Sequence, residues 1–353
     1  MSLYNQIAYH PIIFQVGTDN LGSISSILDS KNLSFKNILL LTGGTHSLNI
    51  ASNIDFDYVK SHEIVNNNSF SEVERLSQKV YDHNFDLIIA LGGGTVLDVA
   101  KRVSLNERIN HLSVPTIISN DGLISPISVL TNDKGYTESM PGQMPMGVVI
   151  DMDIISTSPE HYIQAAAGDV LSNMSATNDW DYAFRNHNEK MNDIGFQLSR
   201  MSAHSLIYFD QMDTSSTNFL KMIIQGQVNS GIAMGLAGTS RPCSGSEHLL
   251  SHAIDYLGFS SDTLHGFQVG SMSLFCLYLQ DKLKQEHIKY GKKLNMAFDF
   301  FGDNDINSKQ VKKIFGKSRT MRPGRNTILD KFSDTQLSDC YRKFTDLIFK
   351  LEV

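Results

Sequence analysis

Residues 86–101 read Asp-Leu-Ile-Ile-Ala-Leu-Gly-Gly-Gly-Thr-Val-Leu-Asp-Val-Ala-Lys, and this stretch decides the fold of the first half of the chain. The run 86–91 is apolar and short, which predicts a buried strand. Gly92, Gly93 and Gly94 follow it directly, and residues 95–101 then carry apolar side chains at helical spacing. The stretch therefore predicts a strand, a glycine loop and a helix in succession.

Such a unit can bind the phosphates of a nucleotide. Glycines let the backbone approach a ligand closely, and the helix N-terminus offers free N–H groups and partial positive charge to a pyrophosphate. Asp98, one helical turn further on, is placed to hydrogen-bond a cofactor hydroxyl or amide. The spacing is not Gly-x-Gly-x-x-Gly, so the common dinucleotide fingerprint does not apply. The alternative is a tight strand-to-helix turn that binds nothing.

Around this unit, apolar runs alternate with amphipathic stretches. Further strands are predicted at 12–16, 37–42 and 112–118. Strands that alternate with helices predict an α/β domain whose mostly parallel sheet is covered on both faces. The last of these strands leads into a segment rich in Ser, Asn, Asp and Gly at 119–122, which is typical of a ligand-binding strand end and also of an ordinary turn.

Two finer features are predicted in the same half. Ser71 and Glu74 have the spacing of a capping box, which would open a helix that ends near His83. The apolar runs 127–130 and 147–150 flank Asn-Asp-Lys-Gly at 132–135, which predicts a β-hairpin with an Asp/Gly turn.

Beyond Asp153 the sequence becomes helical in character. A long helix is predicted from Pro159 through Ala165–Ala167, and shorter ones at 195–209, 216–237, 246–257, 265–286, 305–316 and 334–350. We place the domain boundary near residue 155. The prediction is an α/β domain at 1–155 and an all-helical domain at 156–353.

Length and composition bound the class of protein. At 353 residues the chain is longer than one core usually grows, so two domains are expected. The net charge of −7 provides no basic surplus for a nucleic-acid partner. We see no signal peptide and no apolar run long enough to span a membrane, and three scattered cysteines form no disulfide framework. We expect a cytoplasmic protein with a small-molecule substrate.

Three histidines and one aspartate are the candidate chemical site. His248 and His252 are four residues apart, so both would lie on one face of a helix, and His265 follows 13 residues later. Asp169 falls in an apolar stretch, where a buried carboxylate needs a cation or several donors. One carboxylate with imidazoles suits Zn²⁺, Fe²⁺ or Ni²⁺ better than Mg²⁺ or Ca²⁺. The alternative is a set of surface or core histidines without a ligand.

The spacing of the residues argues against two other enzyme classes. Glu247 precedes His248, so the pair with His252 is not the His-Glu-x-x-His of zinc proteases. The segment 243–247, Cys-Ser-Gly-Ser-Glu, does not match the Gly-x-Ser-x-Gly of a serine hydrolase.

Together the motifs resemble the iron-containing alcohol dehydrogenase and dehydroquinate synthase-like superfamily, and within it the sn-glycerol-1-phosphate dehydrogenases. The resemblance covers roughly residues 86–330. The motifs that carry it are Gly92–Lys101, Val114–Ser125, Ala167–Asn173, Arg241–His252, His265–Gly270 and Arg322–Leu329. It implies a Rossmann-like parallel-sheet domain followed by an all-helical domain, as in dehydroquinate synthase.

The resemblance also implies roles for single residues. Asp169, His248 and His265 would hold the catalytic metal, usually zinc. His252, Asp121 and again Asp169 would contact the substrate. NAD or NADP would lie along Gly92, Gly93, Gly94, Thr95, Asp98, Thr116, Ser119 and Ser125. Relatives are often dimers or larger, which implies a homo-oligomer.

Three departures bear on the substrate and the cofactor. Thr95 stands where the nearest relatives often carry Lys, and Phe267 where they often carry Glu. The segment Leu41–Gly44 lacks the acid that usually bonds the NAD ribose and repels a 2′-phosphate. NADP therefore stays open beside NAD.

The implied activity is reversible hydride transfer between NAD(P)H and a small hydroxy/keto phosphate, dihydroxyacetone phosphate to sn-glycerol 1-phosphate. The metal would act as a Lewis acid on the carbonyl, with His252 or water relaying the proton. One alternative is a dehydrogenase of glycerol or another polyol. Another is a sugar-phosphate cyclase of the dehydroquinate synthase type, which regenerates its cofactor in each turnover. A third is a binding protein that has lost activity.

Overall fold

The computed structural model describes residues 10–54, 56, 58–259 and 263–351. The chain divides into two compact units, Met1–Pro159 and Glu160–Val353.

Within the described residues, the first unit is built on a fully parallel sheet whose strands are β1 (Ile13–Gly17), β2 (Ile38–Thr42), β3 (Val59–Ile64), β4 (Leu87–Gly92), β5 (Asn110–Pro115) and β8 (Gly147–Asp151). Their order across the sheet is β1-β8-β5-β4-β2-β3. Every residue of β2 and β4 is buried, because central strands of a parallel sheet are covered on both faces. The predicted α/β fold class is confirmed.

Helices connect the strands of this unit. They are α1 (Ile24–Ser30), α2 (His46–Ala51), α3 (Phe70–His83) and α4 (Gly94–Glu107), and a short helix, α5 (Met152–Ile155), follows β8. The predicted capping box at Ser71 is wrong, because α3 begins two residues earlier. Ser69 is the N-cap, and its side chain accepts a hydrogen bond from the backbone N–H of Glu72 at 3.2 Å.

The predicted hairpin has the right turn but the wrong second strand. β6 (Ile127–Thr131) pairs antiparallel with β7 (Thr137–Pro141) in a separate two-stranded sheet. β8 instead lies parallel between β1 and β5, with all five residues buried. Its unbroken apolar sequence is typical of a sheet interior, whereas the Thr-Glu-Ser-Met-Pro of β7 carries a weak strand signal.

The glycines that follow β2 (Gly43 and Gly44) and those at the end of β4 (Gly92–Gly94) lie at the topological switch point of the sheet. β2 and β4 are neighbours, yet the chain leaves β2 toward β3 on one side and leaves β4 toward β5 on the other. Ligands of open α/β sheets bind in the crevice that this reversal opens. Gly43 follows β2, and a methyl group added to it would lie 3.7 Å from Val96 on α4, so the loops are adjacent.

The regular elements of the second unit are all helices within its described residues. Its helices are α6 (Glu160–His187), α7 (Asp193–Ile207), α8 (Thr217–Ala237), α9 (Ser246–Tyr256), α10 (His265–Leu279), α11 (Gln285–Lys293), α12 (Phe300–Asp303), α13 (Ser308–Ser318) and α14 (Asp334–Lys350). The predicted helix at 265–286 is wrong in length. It ends at Leu279 because Asp281 takes a left-handed conformation, with φ of 54°, and α11 then starts separately.

In the described part of the chain, no helix is both long enough and apolar enough to cross a membrane. Cys243, Cys276 and Cys340 are all free thiols.

Candidate metal and cofactor sites

Three helices of the second unit bring the predicted metal ligands together. Asp169 lies on α6, His248 on α9 and His265 on α10. One ligand atom from each of these residues lies within 4.8 Å of the other two. The Nε2 atom of His265 is 4.0 Å from Oδ1 of Asp169. Ligand atoms at this spacing can converge on one ion.

Small residues make this convergence possible. A methyl group added to Gly266 on α10 would overlap the carbonyl oxygen of Ala165 on α6, and one added to Gly168 would overlap the carbonyl oxygen of Gly266. A methyl group on Gly270 would lie 2.9 Å from the Cα of Gly168. The two helices therefore touch backbone to backbone, which brings Asp169 and His265 to the same point. The run of small residues at 165–168, just before Asp169, is therefore explained by the close approach of the two helices.

A buried carboxylate orients the first histidine. Oε1 of Glu247 lies 2.9 Å from Nδ1 of His248, and the Glu247 side chain has no exposed surface. The same carboxylate accepts hydrogen bonds from the backbone N–H of Gly245 at 2.6 Å and from the hydroxyl of Ser175 at 2.6 Å. Burial raises the pKa of Glu247, while the hydrogen bonds from Ser175 and Gly245 oppose that shift. When Glu247 is ionised its carboxylate only accepts, so Nδ1 of His248 then carries the proton and Nε2 keeps its lone pair. This is the arrangement that prepares a histidine for a metal.

The second histidine is oriented through a chain of side chains. Nδ1 of His265 lies 3.3 Å from the Ser251 hydroxyl, which is itself 2.5 Å from Oε1 of Gln268. The amide of Gln268 donates onward to Asp255 at 3.0 Å. If Ser251 gives its proton to Gln268, its oxygen accepts from Nδ1 of His265. Nε2 of His265, which faces Asp169, then keeps its lone pair.

Electrostatics keep the imidazoles neutral. Burial lowers the pKa of His248 to about 3, and the positive charges of Arg322 and Arg325 add to the shift. Burial, followed by the neighbouring His248, lowers the pKa of His265 to about 3. Neutral imidazoles bind metals, whereas imidazolium ions do not. Two neutral nitrogens and one carboxylate form a donor set that fits Zn²⁺ and similar ions.

His252 lies beside this group. Its ring centroid is 6.2 Å from that of His248 and 6.3 Å from that of His265. Burial lowers its pKa well below the usual value, and the two neighbouring histidines lower it further. His252 is therefore a neutral imidazole next to the metal-type cluster, able to donate or accept one hydrogen bond with a ligand.

The predicted cofactor loop has the geometry of an open helix N-terminus. β4 ends at Gly92, and Gly93, the N-cap of α4, provides no side chain to cap the first turn. A methyl group on Gly92 would press on Val96 at 2.5 Å, whereas Gly93 and Gly94 have no atom within 4 Å of that position. Thr95, in the first turn of α4, is exposed. The free N–H groups and the helix dipole are therefore accessible to an anion.

Two further predicted cofactor residues, Asp98 and Ser125, lie beside a buried lysine that the sequence analysis did not single out. Lys101 is 1% exposed and donates to Asp98 at 2.8 Å and to the carbonyl of Ile127 at 2.7 Å. Its ammonium is also 3.5 Å from the Ser125 hydroxyl. Asp98 is thus paired with a cation inside the protein, which its position on the helix did not reveal.

The remaining predicted site residues of this unit lie in the segment that follows β5. The backbone N–H of Thr116 donates to Gly92 at 3.1 Å, which ties this strand end to the glycine loop. Thr116 is buried and Ser119 is half-buried. Burial raises the pKa of Asp121 to about 6, while Lys101 opposes the shift. Asp121, predicted to contact substrate, belongs to the first unit, whereas Asp169 and His252 belong to the second.

Comparisons with known proteins identify the family. Residues 15–159 match the family described as iron-containing alcohol dehydrogenase. A Thermococcus sibiricus protein named glycerol-1-phosphate dehydrogenase (NAD(P)+) is 31% identical over 326 residues, which is 90% of this chain and 91% of that protein. A Methanococcus maripaludis protein of the same name is 36% identical over 270 residues, or 74% of this chain and 76% of that protein.

The chain belongs to the glycerol-1-phosphate dehydrogenase family. This confirms the predicted family and the predicted enzyme class, an NAD(P)-dependent oxidoreductase of the metal-containing alcohol dehydrogenase type. The structure of a probable glycerol dehydrogenase from Sinorhizobium meliloti is similar, with a TM-score of 0.80 at 19% identity over 98% of this chain and 99% of that chain. That likeness shows that this glycerol-1-phosphate dehydrogenase family member shares its fold.

Proposed function

We propose that this enzyme reversibly reduces dihydroxyacetone phosphate to sn-glycerol 1-phosphate with NADH or NADPH. The observation that carries the proposal is the convergence of Asp169, His248 and His265, with both imidazoles held neutral. The relatives that share about a third of the sequence over most of the chain carry glycerol 1-phosphate, the product of this reduction, in their names.

In this proposal Asp169, His248 and His265 hold one divalent ion, with zinc the first choice and iron or nickel the next. Such an ion would supply a Lewis acid for the substrate carbonyl. Glu247 and Ser251 contact Nδ1 of His248 and of His265, and would leave Nε2 of each imidazole available to the ion. The chain's own contribution is to fix the carbonyl position, and with it the face of the substrate that meets the nicotinamide.

His252 and Asp121 are proposed to contact the substrate. His252 is neutral and lies next to both histidine ligands, so it can hydrogen-bond the substrate hydroxyl and accept or return its proton. Asp169 would approach the substrate as well as the ion. For Asp121, the raised pKa leaves part of the carboxyl protonated near neutral pH, so that it can donate as well as accept.

The cofactor is proposed to bind at the switch point of the parallel sheet. Its pyrophosphate would lie against Gly92–Gly94 and Thr95 at the N-terminus of α4, with Asp98, Thr116, Ser119 and Ser125 around it. β2 ends at Thr42, whose hydroxyl is 2.7 Å from Nε2 of His62, and Gly43 follows. A strand end without a carboxylate does not repel a 2′-phosphate, so we propose that NAD and NADP are both used.

The direct test is an assay of the zinc-loaded protein with dihydroxyacetone phosphate and either cofactor, following the absorbance of reduced nicotinamide. We expect oxidation of the cofactor and a product that an enzyme specific for sn-glycerol 3-phosphate does not consume. A kcat/KM for glycerol or dihydroxyacetone that equals or exceeds that for the phosphorylated compound would overturn the proposal in favour of a polyol dehydrogenase. Substrate consumption without net cofactor oxidation would overturn it in favour of a cyclase.

Assembly and cellular location belong to the same proposal. We propose a homo-oligomer in the cytoplasm, by analogy with the family. Light scattering after size-exclusion chromatography would measure the assembly, and a mass of one chain would contradict it.

A further inference from the structure

Two arginines on the loop after α13 share one hydroxyl group. Nη2 of Arg325 donates to Oγ of Ser240 at 2.9 Å, and Nη1 of Arg322 donates to the same oxygen at 3.2 Å. Both side chains are largely covered. Two guanidinium groups are therefore held close together although they repel each other.

Within the described residues, neither arginine has a carboxylate within 4 Å. Burial lowers the pKa of Arg325 to about 9, and the charges of Arg322 and Arg241 add to the shift. Two carboxylates oppose it, Glu189 and Glu247. Glu247 is already bonded to Gly245, Ser175 and His248. The positive charge is thus not balanced locally.

A third arginine adds to this excess. Arg241 is 2% exposed and forms a two-point ion pair with Glu189. Its remaining nitrogen, Nη1, is buried and has no hydrogen-bond partner among the described residues. Arg322, Arg325 and Arg241 are therefore near one another, and Glu189, the carboxylate that opposes their charge, is already paired with Arg241. A buried donor on Arg241 has no acceptor among the described residues.

This cationic group borders the candidate metal site. Nη1 of Arg325 donates to the carbonyl of Ser244 at 2.7 Å and to its hydroxyl at 3.0 Å. Ser244 directly precedes Gly245, the N-cap of the helix that carries His248 and His252. Arg322 and Arg325 are close enough to both histidines to lower their pKa values.

Physical chemistry favours an anion here. Partly buried charges without a counterion are costly, so a cluster of them is expected to have an anionic partner in its working state. Guanidinium groups match the oxygens of a phosphate with paired N–H donors, better than a lysine does. The number of oxygens on a phosphoryl group suits two or three such donors at once.

We propose that Arg322 and Arg325 bind the phosphoryl group of the substrate and so select a phosphorylated three-carbon ligand over its unphosphorylated analogue. The inference rests on the proposed function for the identity of the substrate. The same chemistry would also recognise a phosphate of the nicotinamide cofactor, and the experiment separates the two sources.

The decisive variant is Arg322→Gln, because the Arg322 side chain makes one hydrogen bond within the described residues and its loss should leave the fold intact. We expect kcat/KM for dihydroxyacetone phosphate to fall about 30- to 100-fold, mainly through KM, as for a lost charged hydrogen bond. For dihydroxyacetone, kcat/KM should stay within about twofold of wild type. The KM of NADH and of NADPH should not change. Arg342→Gln, at a side chain that is 72% exposed, is the matched control and should behave as wild type.

Two results would overturn the inference. One is an equal loss of kcat/KM for both ketones, which would place Arg322 in general site structure. The other is a raised KM for NADH or NADPH with an unchanged KM for the phosphorylated ketone, which would assign the cluster to the cofactor.

A binding measurement keeps this test separate from the proposed function. Calorimetric titration of the metal-loaded protein with inorganic phosphate should show binding that Arg322→Gln weakens about 10-fold or more. That result would support the site even if dihydroxyacetone phosphate were not a substrate. Equal binding by wild type and variant would overturn it.

Discussion

Glu247 and His248 are neighbours in sequence, and the carboxylate of the first holds the imidazole of the second through a contact of 2.9 Å to Nδ1. Neighbouring residues on a helix usually point in different directions. Here the Glu247 side chain is fully buried and folds back to the N-terminus of α9, where it also accepts the N–H of Gly245. One residue thus caps the helix and orients a proposed metal ligand.

The first prediction concerns this contact. Glu247→Gln keeps the shape of the side chain but removes the charge that holds Nδ1–H of His248. Changes of this kind around metal ligands typically lower metal affinity about 10- to 100-fold. Zinc competition with a chromophoric chelator measures the affinity. Glu286→Gln, on the exposed face of α11, is the control, and an unchanged zinc affinity in Glu247→Gln would contradict the orienting role.

The second prediction separates the two histidines of α9. His252→Ala should retain the metal and lose turnover, because His252 is proposed to contact the substrate rather than the ion. Asp169→Ala, the contrasting variant, should lose metal and activity together, since it removes one of three convergent ligands. Metal content by mass spectrometry and kcat measure both. If His252→Ala also loses its metal, His248 and His252 form a chelating pair instead.

The third prediction tests the close approach of α6 and α10. Gly266→Ala places a methyl group against the carbonyl oxygen of Ala165, so the helices must move apart. We expect a loss of about 1–3 kcal/mol in the free energy of unfolding, as for other overpacked sites. Metal retention should also fall, because Asp169 and His265 separate. Urea denaturation and metal analysis measure the two effects.

Gly94→Ala is the control for that variant. Position 94 is the first residue of α4 and has no atom within 4 Å of an added methyl group. Alanine there should leave the stability unchanged or raise it by up to about 1 kcal/mol. If Gly266→Ala were as stable as wild type, α6 and α10 would have room for the added methyl group, and their close approach would not constrain the site.

The fourth prediction concerns pH. His111 on β5 is 1% exposed, and burial, with a further contribution from Lys101, lowers its pKa to about 3. The unfolded chain binds a proton at this side chain below about pH 6.5, whereas the folded protein does not. Stability is therefore complete above that pH and decreases as the pH falls toward 3. Between about pH 7 and 5 this group accounts for roughly 2 kcal/mol of lost stability.

His111→Leu should remove that part of the pH dependence. Urea midpoints of the metal-free protein at the two pH values measure it, because metal binding to other histidines would add its own proton linkage. His83→Gln, at an exposed position, should keep the wild-type slope. A wild-type slope in His111→Leu would show that the buried imidazole does not set it.

Much of the first unit was predictable because its signals are local. The buried runs that became β2 and β4 and the glycines after β4 specify strand, loop and helix without long-range information. The prediction of the hairpin's second strand was wrong because strand pairing depends on long-range information. A strand's partner depends on which faces are buried, and the apolar run 147–150 packs equally well beside any apolar neighbour until the whole sheet is assembled. The prediction of Ser71 as the N-cap of α3 was wrong because Ser69, two residues earlier, takes the N-cap position.

The sequence by itself determined the parallel-sheet architecture, through residue type and spacing, and the family and enzyme class, through the resemblance of its motifs. The assignment of the candidate metal ligands also came from that resemblance. Only the tertiary structure decided what those residues do to one another. The close contact of α6 and α10 brings Asp169 to His265, and burial keeps the imidazoles neutral. Arg322 and Arg325 lie some 75 residues from His248 in sequence, yet their charges reach it. Distances and dielectric environment are properties of the packed chain, and no local pattern encodes them.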